Sequence, residues 1–114
     1  MIIRKNDVKP FDFDGLKIAD YTASLAGNSS FAVISVSPGI SHQLSWSKRS
    51  DKYYHILSGK IHFFLNGKKY ILSEGDLCIV RKGEKFKYAN KSGEVIRMIL
   101  IHTPDFHFDE EVFE

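Results

Sequence analysis

The sequence predicts an all-β protein folded as a single barrel or sandwich. Three observations point there: short runs of β-branched or alternating apolar residues, turn signals recurring at roughly 8–12-residue spacing, and no long amphipathic helical pattern. A chain of 114 residues has room for one core.

Residues 16–26 are expected to hold a strand with Ile18 and Tyr21 as apolar members, closed by Gly27-Asn28-Ser29-Ser30. The β-branched run from Phe31 to Val36 ends at Pro38-Gly39, a turn pair. Residues 53–57 are apolar and aromatic and stop at Ser58-Gly59. Ile61, Phe63 and Leu65 then alternate with Lys60, His62 and Phe64 up to Asn66-Gly67. Asn-Gly between two alternating runs is the strongest short hairpin signal, because both residues tolerate the positive φ of a type I′ turn. Residues 68–72 make the return strand. Strands over 77–80, 86–89 and 95–102 follow, separated by turns at 73–76, 82–84 and 90–93, and Pro104 stops the last one. The tail, residues 105–114, mixes Phe106, Phe108, Val112 and Phe113 with acids and is expected to lie across the barrel.

Hydrophobic residues make up 43% and charged residues 26%, the balance of a globular protein. A net charge of +2 with scattered lysines gives no nucleic-acid surface. Cys78 is the single cysteine, so no intrachain disulfide forms and Cys-rich zinc patterns are excluded. In its short apolar strand it is expected to be a small core residue. Residues 1–13 lack the apolar run of a signal peptide, and no stretch of about 18 apolar residues would cross a membrane. The expectation is a cytoplasmic protein without a membrane or nucleic-acid partner.

From Gly39 to Asn90 the spacing resembles the cupin superfamily. The first cupin motif runs Gly, five residues, His-x-His, three or four residues, Glu, six residues, Gly. Here Gly39 opens it, Ser45-Trp46-Ser47 stands in the place of His-x-His, Lys52 in the place of Glu, and Gly59 closes it. The second motif runs Gly, five residues, Pro-x-Gly, two residues, His, three residues, Asn. Gly75 starts it, Arg81-Lys82-Gly83 replaces Pro-x-Gly, Phe86 replaces His, and Asn90 ends it. The resemblance implies a cupin double-stranded β-helix (a jelly-roll barrel) as one domain over 1–114. Its motifs lie at 39–90, N-terminal strands precede them within 1–38, and the acidic tail 105–114 packs on the barrel.

The glycines hold backbone positions and the missing histidines and glutamate would hold only a metal. The resemblance therefore implies a kept fold with no metal and no other cofactor. Of the remaining histidines, His55 and His62 have outward parity if Lys52 and Ile61 point inward. His42 is out of phase with Ser45 and Ser47, although a bulge would turn it inward. His102 and His107 fall at the last strand's end and in the tail.

On the family's geometry the inward residues near the vanished metal are Ser45, Ser47, Lys52, Tyr54, Phe86 and Tyr88. An aromatic wall with hydroxyls and one amine suits a small polar or carbohydrate-like ligand. Lys52 is the candidate catalytic residue, as a general base, a Schiff-base amine or an anion anchor; paired with Glu84 it would be structural. Three functions follow in order: a metal-independent ligand-binding cupin, a cofactor-free isomerase, epimerase or cyclase using Lys52 and the tyrosines, and a dimerisation or scaffold module. A homodimer is expected, through outward Tyr53, His55, Leu57 and Phe64.

Overall fold

Period-two burial runs through the central strands of the computed structural model, which covers residues 1–114. In β5 (Asp51–Ser58), Lys52, Tyr54 and Ile56 are buried while Asp51, Tyr53 and His55 between them are only half-buried. In β10 (Ile96–Thr103), Ile96, Met98, Leu100 and His102 alternate in the same way. Such strands have one core face and one outer face, so they stack as two facing sheets.

The first sheet holds six strands. From edge to edge they are β1 (Phe11–Phe13), β2 (Leu16–Asp20), β3 (Ser30–Val36), β10, β5 and β8 (Leu77–Val80). The second holds five: β11 (Glu111–Phe113), β4 (Ser41–Ser47), β9 (Phe86–Ala89), β6 (Lys60–Leu65) and β7 (Lys68–Ser73). Every pairing is antiparallel. No helix is long and apolar enough to cross a membrane.

The turns do what the glycines promise. Asn66 and Gly67 both have positive φ (51° and 82°), and Leu65 faces Lys68 across the β6–β7 hairpin. Gly59 carries a double constraint: φ is 89°, and a Cβ there would sit 2.9 Å from Cγ1 of Ile96. Asn90 organises its turn by donating from Nδ2 to the carbonyls of Val36 (2.8 Å) and Glu94 (2.7 Å), while its Oδ1 accepts from Ser92.

Three elements differ from expectation. The strand expected over 16–26 ends at Asp20, whose carboxylate accepts from the backbone N–H and hydroxyl of Thr22 (3.0 and 3.2 Å); that local turn stops the ladder. It also pairs with a short partner, β1, across Asp14-Gly15, where both residues have positive φ. Residues 111–113 form β11 on the edge of β4. In addition, Phe64 lies in the five-stranded sheet, away from Tyr53, His55 and Leu57, so these four do not share one face.

Along β3, β10 and β5 the core changes character in layers. Val36 pairs Ile96 at one end, then come Ile34, Met98 and Ile56, then Ala32, Leu100 and Tyr54. The last layer is polar: Ser30, His102 and Lys52. One end of the barrel is packed with aliphatic side chains, and the other buries polar groups around a cavity.

Candidate functional site

The polar end begins with a fault in β4. His42 pairs with Tyr88 and Ser45 with Phe86, so three steps along β4 match two along β9. One extra residue in a strand reverses the parity of the residues beyond it. The bulge lets His42 and Ser45 both face inward, as Tyr88 and Phe86 do. The imidazole of His42 lies against Phe86 and Tyr88, each with ring centres 5.1 Å away. Its Nδ1 is 2.7 Å from the carbonyl oxygen of Gln43. A carbonyl only accepts, so Nδ1 carries the proton and Nε2 keeps its lone pair. Burial lowers the pKa of His42; the Gln43 hydrogen bond opposes this, and the Lys52 charge adds to it. The result is a neutral imidazole with a bare nitrogen.

The second group centres on Lys52, which is 3% exposed. Its Nζ donates to Oε1 of Glu111, from β11, and lies 2.9 Å from Nε2 of His102, its neighbour across the β5–β10 ladder. His102 is pulled down to about 3, by burial first and then by the Lys52 charge, so it is a neutral acceptor of the ammonium proton. Burial also lowers Lys52, while Glu111 pulls it back up.

Glu111 reaches this place because the tail is tied down upstream. Arg49 donates to the carbonyl of Asp105 (3.0 Å) and pairs with its carboxylate (2.7 Å). Ser50 Oγ donates to the carbonyl of Pro104 (2.8 Å), and the Phe106 N–H donates to Ser30 Oγ (2.7 Å). The chain then crosses the barrel end and pairs with β4.

Two tyrosines complete the polar set. Tyr54 and Tyr88 are each 1% exposed. Burial raises both pKa values, with Tyr88's charge adding to the effect at Tyr54, so both hydroxyls keep their protons. The Tyr88 hydroxyl is buried with no hydrogen-bond partner. A buried orphan of this kind costs about 1–3 kcal/mol and is met by a ligand or water when one enters.

These groups line a cavity of about 140 Å³ whose remaining wall is mostly apolar, including Phe13, Leu100, Phe106 and Phe113. Phe11 and Phe108, half or more exposed, mark its mouth.

Of the six residues expected at the site, Lys52, Tyr54 and Tyr88 line this cavity. Ser45, Ser47 and Phe86 are buried beside it and do not line it. Ser47 Oγ accepts from the N–H groups of Arg49 (3.1 Å) and Ser50 (2.9 Å), a loop role. Phe86 stacks on Phe63 and His42. Glu84 does not pair with Lys52; it accepts from Asn66 and from the Arg81 N–H. Cys78, half-buried opposite Tyr54, is pushed up to about 11 by burial and then by the Glu84 charge, which suits packing and not a nucleophile. His42, His102 and Glu111 are among the cavity residues that sequence reasoning left out of the site.

The residues do not fit a divalent cation. Ser45, Ser47, Lys52 and Phe86 hold the ligand positions, and no three His, Cys, Asp or Glu side chains converge as a metal would require. An ammonium lies between Glu111 and His102, where it would repel a metal.

Solved structures share this architecture. A Streptomyces Pac13 variant with a histidine replaced by glutamine, solved with uridine, is similar over 99% of this chain and 89% of its own, with 21% identity and a TM-score of 0.86. Pac13 is described as a nucleoside dehydratase. A predicted oxalate decarboxylase from Thermotoga maritima is 21% identical over 91% of this chain and 99% of its own, TM-score 0.82. KdgF from a Halomonas species is 14% identical over 96% of both chains, TM-score 0.82. No curated protein sequence matches. At these identities the likenesses show the fold. The cupin domain model matches residues 32–102, well over half of the chain, and with two facing antiparallel sheets around a polar-ended core the protein belongs to the cupin family.

Proposed function

We propose that the protein binds a small hydroxylated ring compound of the nucleoside or sugar class in this cavity and moves a proton on it without a metal, as an isomerase or a dehydratase does. The observation that carries this is the bulge-turned His42, neutral and with Nε2 unprotonated, whose ring lies 5.1 Å from that of Tyr88, itself carrying an unpartnered hydroxyl.

The roles follow from the chemistry of each group. His42 Nε2 takes a proton from carbon, a step that general bases of this kind accelerate by about 10²–10⁴-fold. Tyr54 and Tyr88, held in their protonated forms, donate hydrogen bonds to substrate oxygens. Lys52 offers an ammonium to a developing oxyanion, and Glu111 balances its charge so that the empty site is not left with an unpaired buried cation. The apolar wall excludes water and strengthens each of these interactions. Support from likeness is confined to one point: the Pac13 structures include uridine complexes of variants altered at a histidine and at single tyrosines, the residue types gathered here.

The test pairs binding with proton exchange. Calorimetric titration with uridine, other nucleosides and free sugars should find a ligand, and NMR in heavy water should follow deuterium entering its carbon-bound positions. His42→Asn keeps a donor for the Gln43 carbonyl but loses the base. It should bind comparably and exchange about 10²–10⁴-fold more slowly. Exchange at the wild-type rate in that variant removes the base, and failure of every nucleoside and sugar to bind at millimolar concentration removes the ligand class.

A further inference from the structure

Lys52 has an environment unlike that of any other lysine in the chain. All the others are exposed, whereas Lys52 is buried against the cavity. Its Nζ touches two hydrogen-bond acceptors, the Glu111 carboxylate and the neutral Nε2 of His102. The phenyl rings of Phe86 and Phe106 stand 5.5 and 5.9 Å from the same nitrogen. A purely structural lysine needs one acid. This one has an acid, a second acceptor, an empty space and walls that keep out water.

We propose that Lys52 is a carbonyl-capturing amine, whose ε-nitrogen forms an imine with a small hydroxylated aldehyde or ketone entering the cavity, independently of proton transfer by His42. The proton accounting closes within the site. The Lys52 ammonium passes one proton to Glu111, and the freed lone pair attacks the carbonyl carbon. The carbonyl π electrons move to oxygen, which takes up a proton from the nitrogen and gives a carbinolamine. The hydroxyl then leaves as water with the proton held by Glu111, while the nitrogen lone pair closes the C=N bond. The amine and carbonyl become a protonated imine and one water, with no oxidant or reductant. Burial supports the first step by lowering the basicity of Lys52, and the dry wall slows hydrolysis of the product. The unpartnered Tyr88 hydroxyl is available to a hydroxyl on the captured molecule.

Reductive trapping tests this directly. The full chain is incubated with glycolaldehyde and cyanoborohydride, then digested and mapped by mass spectrometry. A hydroxyethyl group should appear on Lys52 about tenfold faster than on exposed Lys60 or Lys82, because the cavity holds the aldehyde against the amine. Labelling of Lys52 no faster than of those two, on folded protein, overturns the inference. Mapping reads every lysine in one sample, so the result needs no variant that must fold. Labelling at Lys52 without nucleoside or sugar binding sustains the capturing amine and removes the proton-transfer function; binding and exchange without labelling do the reverse.

Discussion

The Tyr88 hydroxyl is buried without a partner, so it opposes folding. Tyr88→Phe removes that cost and keeps the ring's stacking on Phe63 and its tilted contact with His42. The variant should gain about 1 kcal/mol, raising Tm by about 4 °C, while binding the ligand more weakly. Thermal melts and calorimetric titration check the two halves; a variant that is less stable means that the hydroxyl already has a water partner. His102 gives a second residue-scale prediction. The unfolded chain protonates it near 6.5, and the folded chain not until about 3. The unfolded state therefore binds more protons between these values, and stability rises with pH across that window. This one group contributes up to about 1.4 kcal/mol per pH unit, levelling off above it. Urea midpoints between about pH 4 and about pH 7 should show a slope that His102→Gln reduces; an unchanged slope would place the titration elsewhere.

At the scale of strands and turns, Gly67 in the β6–β7 hairpin and Gly59 in the turn between the two sheets differ in a measurable way. Both have positive φ, but a Cβ at Gly67 meets nothing within 4 Å, whereas one at Gly59 meets Ile96 at 2.9 Å. Gly67→Ala should cost about 1 kcal/mol from φ alone. Gly59→Ala adds a clash inside the packed end and should cost about 2–3 kcal/mol. Denaturant titration of the pair checks the order, and equal costs would mean that Ile96 shifts freely. The same scale explains what was legible. Period-two alternation and turn chemistry are local, so β3, β5 to β10 and the inward faces of Lys52, Tyr54 and Tyr88 could be read from neighbours in the chain. Asp14-Gly15 carried the signal of Asn66-Gly67 and would have revealed β1. His102 shares the parity of Ile96, Met98 and Leu100, so its inward face was also written locally. The bulge that turns His42 was not: it emerges from the register of β4 against β9. Glu111 was harder still, because contacts from Arg49, Ser50 and Ser30 set the path of the tail.

Over the whole molecule, aliphatic layers at one end hold the two sheets together and leave the other end free to bury an imidazole, an ammonium–carboxylate pair and two phenols. That division sets aliphatic packing apart from the polar cavity within one small core, in a cupin whose turns persist while its metal positions carry Ser45, Ser47, Lys52 and Phe86. The proposed proton transfer depends most on the state of one ring. Long-range proton–nitrogen NMR of the histidines in the uniformly labelled protein reads tautomer and charge together. At neutral pH, His42 should appear as a neutral ring protonated on Nδ1, with the unprotonated Nε2 resonance shifting when a ligand enters the cavity. A His42 ring that is charged at neutral pH, or that carries its proton on Nε2, would contradict its role as the base.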